Sequence, residues 1–193
     1  MPSPEFLDAI RRLVAKIEAS LPKMDEPVRM YVAGGSAVHY YTACRVSADV
    51  DAMFSKRLLL PDDLEVAWMA GDGKPQLLYL DKQYNDSFAL MHEDYAAAAI
   101  PCAALNAGKR KVLVYFLSPV DLVVSKLLRY ESVDQEDICV LAASGLVSAS
   151  AVRARASEAL GGYVGNMARI RNSIKLACKL IDEVQRKATI KKK

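Results

Sequence analysis

At 193 residues, 52% hydrophobic and 25% charged, the chain can bury the core of one domain with appendages, which excludes a disordered or fibrous class. No apolar run approaches the ~20 residues of a membrane span, and Arg11, Arg12, Lys16 and Glu18 break up any signal-peptide pattern, so a cytoplasmic protein without a membrane partner is expected. The net charge is only +3, but residues 161–193 hold nine basic and two acidic side chains, a local +7 that leaves −4 for the rest. That asymmetry fits an anionic partner at the C-terminal end or a solvated helix with a lysine tail.

Residues Glu5 to Leu21 predict an amphipathic helix, with Phe6, Ile10, Leu13, Val14, Ile17 and Leu21 at helical spacing, Ser3 as cap and Pro4 at the first position. Val28 to Ala33 reads as a short strand, broken by Gly34-Gly35, and Ser36 begins a helix to about Arg45. Asp49 to Phe54 reads as the next strand. Pro61-Asp62-Asp63 is good helix-start chemistry, so a helix through Leu64, Val66, Ala67, Trp68 and Met69 is expected, ending at Gly71-Asp72-Gly73. Strands are expected over Gln76 to Asp81, Ser87 to His92 and Lys111 to Leu117, with a turn at Asn85-Asp86, a helical turn over Asp94 to Ala99 and a hairpin turn at Asn106 to Lys109. Ser118-Pro119 then opens a series of helices: one through Leu128, one from about Asp134 to Gly145, one from Ser148 to Leu160, and a last from Tyr163 to Lys187. The expectation is an α+β (α/β) unit, with a mixed sheet and flanking helices in residues 1–117 and a helical part in 118–193. The four cysteines are far apart, with no Cys-x-x-Cys pair and no evident base, and read as small core residues.

Chemistry concentrates in two stretches. In a strand, residues two apart share a face, so Asp49 and Asp51 stand together with Val50 turned to the core. Two like charges there call for a cation, and magnesium commonly joins a few carboxylates to substrate phosphates; a solvent-facing strand edge would also tolerate two acids. Gly34-Gly35-Ser36 lets backbone approach a phosphate at a helix N-terminus, or simply makes a turn. It is not a P-loop, because the Gly-x-x-x-x-Gly-Lys spacing is absent. His39 reads as structural, and His92-Glu93 lacks the second histidine of a zinc protease motif.

Taken together, strand, Gly-Gly-Ser, helix and, twelve residues on, Asp-Val-Asp resemble the signature of the DNA polymerase β-like nucleotidyltransferase superfamily. The resemblance implies that Gly34, Gly35 and Ser36 hold a nucleoside triphosphate. It implies that Asp49 and Asp51 bind magnesium or manganese, and that a third carboxylate comes from a later strand, for which Asp81 is the candidate. Glu93 and Asp94 sit in what reads as a loop. Downstream, Ser118 to Arg129 followed by Asp134-Gln135-Glu136-Asp137-Ile138 resembles the abortive-infection-type nucleotidyltransferase toxins of toxin–antitoxin systems. That likeness implies that Lys126 contacts the triphosphate and that Asp134 or Asp137 lies near the nucleotide or metal. Val133 stands where those relatives commonly have an arginine. The resemblance implies transfer of a nucleoside monophosphate to a tRNA 3′ end or a protein hydroxyl, with a cognate antitoxin as partner. The alternatives are a nucleotidyltransferase fold without catalysis, working through a partner protein or RNA, and an RNA-binding protein driven by the basic last helix.

Overall fold

The computed structural model describes residues 2–44, 47–71, 73–85 and 89–190. The chain divides into two compact units, residues 1–85 with 99–117, and residues 86–98 with 118–193.

The first unit is one six-stranded mixed sheet with two helices on one face. In chain order it holds α1 (Pro4–Ser20), β1 (Val28–Val32), α2 (Gly34–Thr42), β2 (Asp49–Phe54), β3 (Glu65–Met69), β4 (Pro75–Asp81), β5 (Ile100–Pro101) and β6 (Val112–Phe116). The strand order is β3-β4-β2-β1-β6-β5. β1 pairs antiparallel with β2 and parallel with β6, while β2 and β4 run parallel. β3 and β5 are antiparallel edges.

Ser3 starts α1 as expected, its Oγ accepting the Phe6 N–H at 3.1 Å, with Pro4 at the first position. The helix buries Phe6, Ala9, Ile10, Leu13, Val14 and Ile17. Burying each of the larger ones contributes roughly 1.5–3 kcal/mol. Its last turn is fixed to β6: Glu18 Oε1 accepts the N–H groups of Lys111 and Val112 at 2.8 and 2.9 Å. The sheet face under α1 and α2 is the core. Phe6 meets His39 at 4.4 Å and Trp68 at 5.9 Å between ring centroids, and Tyr40 stacks on Phe116 at 3.8 Å.

In place of the expected helix over Pro61 to Met69, residues 61–64 are irregular and Glu65–Met69 form the strand β3. Val66 and Trp68 point inward while Glu65, Ala67 and Met69 are exposed, a period of two. Pairing with β4 overrides the helix-start chemistry of Pro61-Asp62-Asp63. The expected helix from Ser36 to Arg45 begins earlier, at Gly34, and closes on Ala43 in the left-handed conformation; Arg45 and Val46 lie outside the described residues. Of the strand expected over Ser87 to His92, residues 87 and 88, like Asp86 of the turn, fall outside the described residues. Residues 89–92 are irregular backbone, not a strand. Among the cysteines, Cys102 and Cys178 are buried, Cys139 is half-buried and Cys44 is exposed.

The second unit holds α3 (Tyr95–Ala98), α4 (Pro119–Lys126), α5 (Ser132–Ala143), α6 (Ala149–Ala159) and α7 (Met167–Ile190). Ser118 caps α4, accepting the Asp121 N–H at 3.1 Å, and Ser148 caps α6 by accepting the Ala151 N–H at 3.2 Å. At the start of α5, Asp134 Oδ2 accepts the Glu131 N–H at 3.0 Å in a capping box. α7 packs on α5 and α6 through Ile170, Ile174, Ala177, Cys178 and Ile181. Arg155 clasps Asp121 with contacts of 2.7 and 3.2 Å, joining α6 to α4.

Candidate active site

In the first unit, β1 leads into Ala33 and then Gly34, whose φ is +58°. Glycine is required there twice over. The left-handed conformation disfavours a Cβ, and a Cβ would lie 1.8 Å from Asp51 Oδ2. The Asp51 carboxylate is therefore seated against the bare backbone of the turn.

Two further bonds join the turn to β2. The Ala33 N–H donates to the Asp51 carbonyl at 2.8 Å. The Ser36 hydroxyl donates to the Asp49 carbonyl at 2.7 Å and is fully buried. Ser36 thus acts as a strut between α2 and β2. The first intrahelical bond is Ala37 N–H to the Ala33 carbonyl at 3.2 Å, and no side chain caps α2. The backbone N–H groups of Gly34, Gly35 and Ser36 precede that bond and are the donors a helix offers to an anion.

The acids share one face. Asp49 and Asp51 alternate with the buried Val50 and Ala52 on β2. Asp81 ends β4 in direct register with Asp51, and Tyr79 in register with Asp49. Paired residues on neighbouring strands point to the same side, so Asp81 joins the first two on the sheet face opposite α1 and α2. All three are half-buried. Asp49 Oδ1 accepts a short hydrogen bond from the buried Ser47 hydroxyl. Asp81 Oδ1 accepts the Gln83 N–H at 2.8 Å. Lys82, next in the chain, turns to Asp62 at 2.8 Å.

A divalent cation suits this donor set. The face presents hard oxygen ligands, and the cradle at Gly34 holds one of them in place beside the first N–H groups of α2. Among the described residues no three acidic, histidine or cysteine side chains already converge as a complete metal cluster. Phosphate oxygens of a substrate would have to complete the coordination, as is usual for magnesium.

The second unit holds the other residues marked by the sequence, and it brings them together. Lys126 Nζ lies 2.7 Å from Asp137 Oδ2 and 3.7 Å from Asp134 Oδ1. Arg129 forks onto Asp134 with contacts of 2.9 and 2.7 Å. Lys126 is 7% exposed, and Asp134 and Asp137 are each 1% exposed. Burial pushes the Asp134 carboxyl upward, but the hydrogen bonds from Arg129 and the Glu131 N–H, with the Lys126 charge, hold it below its ordinary value. The ammonium of Lys126 thus already sits in a buried ion pair. Arg129 supplies the cation beside Asp134 where Val133 supplies none. Of the histidines, His39 packs beside Phe6 and Trp68. His92 accepts the Asp94 N–H at Nδ1 and lies 3.2 Å from Glu158 at Nε2.

Sequence reasoning missed Ser47, Tyr79 and the Arg155–Asp121 clasp. Only Ser47 left a local signal, a hydroxyl two residues before an acid.

A glycine turn opening a helix, with carboxylates facing one way on the adjoining strands of a mixed sheet, defines a nucleotidyltransferase-type fold. The family model described as "Nucleotidyltransferase of unknown function (DUF6036)" matches residues 8–184, and the chain belongs to that family. No curated protein and no solved structure matches it.

Proposed function

We propose that the chain transfers a nucleoside monophosphate from a nucleoside triphosphate to an acceptor hydroxyl, with magnesium or manganese held by Asp49, Asp51 and Asp81. The observation that carries this reading is the seating of Asp51 against Gly34, with Asp81 in register beside it. The N–H groups of Gly34, Gly35 and Ser36 bind the triphosphate and orient the α-phosphorus toward the acid face. Ser47 and Ser36 hold β2 and Asp49 in position. The acceptor oxygen bonds to the α-phosphorus, the bond from that phosphorus to the bridging oxygen breaks, and pyrophosphate leaves. The hydroxyl proton passes to Asp81 or Asp51. When bound, the metal supplies positive charge to the phosphate oxygens and lowers the pKa of the attacking hydroxyl.

The likeness of Ser118 to Ile138 to the nucleotidyltransferase toxins supports a tRNA 3′ end or a protein side chain as acceptor, and an antitoxin as partner. The test is incubation with each labelled nucleoside triphosphate, magnesium and either total RNA or cell lysate. Label should move to one macromolecule with the wild type and not with Asp49→Asn. Equal labelling by Asp49→Asn would sink the mechanism.

A second reading keeps nucleotide binding without turnover. It draws support from Lys126, whose ammonium lies against the buried Asp137 and Asp134. Magnesium-dependent triphosphate binding in calorimetry, with no labelled product from any acceptor pool, would decide for it.

A further inference from the structure

Two groups of cations in the second unit stand in contrast. Lys126, Arg129 and Arg155 are matched to the buried acids Asp137, Asp134 and Asp121. The cations of α7 are not matched in this way. Between Met167 and Leu180 the helix carries Arg169, Arg171, Lys175 and Lys179 and no acid. All four are exposed. Lys179 has only a loose 3.8 Å contact with Glu183, and the other three form no ion pair among the described residues. At 100° per residue, Lys175, Lys179 and Arg186 fall on the side away from the buried Ile170, Ile174, Ala177 and Ile181, with Arg171 at its flank and one exposed acid, Asp182, among them. From Arg171 to Arg186 this stripe runs about 22 Å along the axis. Arg169 also stands in a first turn that holds no acid, where the helix dipole disfavours a cation. Packing requires none of these charges.

We infer that this face of α7 docks the phosphate backbone of a nucleic acid. The charge is complementary, and the stripe is long enough to meet several successive phosphates. It bears no aromatic residue on which bases could stack, so binding follows backbone and charge rather than sequence. An anionic membrane fits less well. The apolar side of α7 is packed against α5 and α6 within its own unit and is not available to enter a bilayer. The inference goes beyond the proposed transfer reaction and does not depend on it.

The test uses the full chain and fluorescent RNA and DNA hairpins in anisotropy titrations between about 50 and 200 mM salt. The wild type should bind with a slope of log K on log salt of about −3 to −4, from three to four phosphate contacts. The triple variant Arg171→Gln/Lys175→Gln/Lys179→Gln should lose about three contacts, flattening the slope by 2 to 3 and weakening binding at least ~10-fold. Its thermal melting should stay unchanged, because the positions are exposed. An Arg11→Gln/Arg12→Gln control on α1, where both arginines contact Asp8, should bind like wild type. Three results would overturn the inference: no wild-type binding at low salt, a triple variant that binds as wild type, or phosphatidylserine vesicles that bind the stripe as tightly as the hairpins. Calorimetry of magnesium and triphosphate on the same proteins separates the two readings. Its failure removes the proposed transfer and leaves the stripe standing.

Discussion

Three of the aspartates in each unit are drawn wholly or partly out of solvent, and the two sets are handled in opposite ways. In the second unit Asp121, Asp134 and Asp137 are almost fully buried, and Arg155, Arg129 and Lys126 answer them one for one. In the first unit Asp49, Asp51 and Asp81 are half-buried on one sheet face. Asp49 and Asp81 take hydrogen bonds from a hydroxyl and a backbone N–H, donors that bring no charge. Burial without neutralisation is too costly for a carboxylate, so the second set had to bring its own cations. For the first set, the proposed reading supplies neutralising charge through a bound cation. That difference separates acids that build a fold from acids proposed to hold a ligand.

The largest effect should come from neutralising the second kind. Asp49→Asn or Asp51→Asn should cut transfer on the order of 10³-fold by removing metal-held stabilisation of the transition state. Melting temperature should hold or rise as like charges are relieved. Loss of folding in step with loss of transfer would erase the contrast between the units. The reverse pattern is expected in the second unit. Lys126→Met leaves Asp137 buried without its cation and should destabilise by about 3–5 kcal/mol in denaturant unfolding. Asp137→Leu added to Lys126→Met should recover part of that loss. If Lys126→Met instead weakens triphosphate binding at unchanged stability, Lys126 works as the toxin likeness implies.

Gly34→Ala sharpens the comparison from the backbone side. The left-handed conformation alone should cost about 1–2 kcal/mol, and the added Cβ must displace Asp51. Transfer should therefore fall much further than stability, whereas an equal fall in both would make the turn merely structural.

Legibility in the sequence followed the range of the interaction. The Asp49–Asp51 pairing could be read directly, because strand geometry alone puts alternate residues on one face. The helix caps at Ser3 and Ser118 are local in the same way. β3 was hidden because Ala67 and Met69 are apolar on the exposed face, so the alternation of Val66 and Trp68 was masked. Asp81 could be proposed as the third acid, but its place beside Asp51 depends on a parallel pairing of β4 with β2 that runs through the β3 edge. The Arg155–Asp121 clasp joins helices thirty-four residues apart and left no local trace.

Acid titration gives a smaller effect. Asp134 is held below its ordinary value of 3.8 in the folded chain. It therefore adds stability that is fully present above that value and drains away as pH falls through the lower folded value. Acid unfolding followed by circular dichroism should lose part of its steepness below about pH 4 in Asp134→Asn. An unchanged profile would mean that the forked contacts of Arg129 add nothing to the folded state.

Ser36 gives the smallest and most discriminating effect. Its hydroxyl is buried and donates to the Asp49 carbonyl, so the proposed phosphate donors of the turn are backbone N–H groups, which no side-chain change removes. Ser36→Ala should cost about 1 kcal/mol of stability, the worth of one neutral hydrogen bond. It should lower transfer modestly by loosening β2, and leave triphosphate affinity at wild-type level in calorimetry. A clear drop in affinity with stability intact would show the hydroxyl turning from β2 to the phosphate when substrate arrives. The strut would then be a ligand contact, and the first unit's polar groups would all belong to the ligand-holding kind.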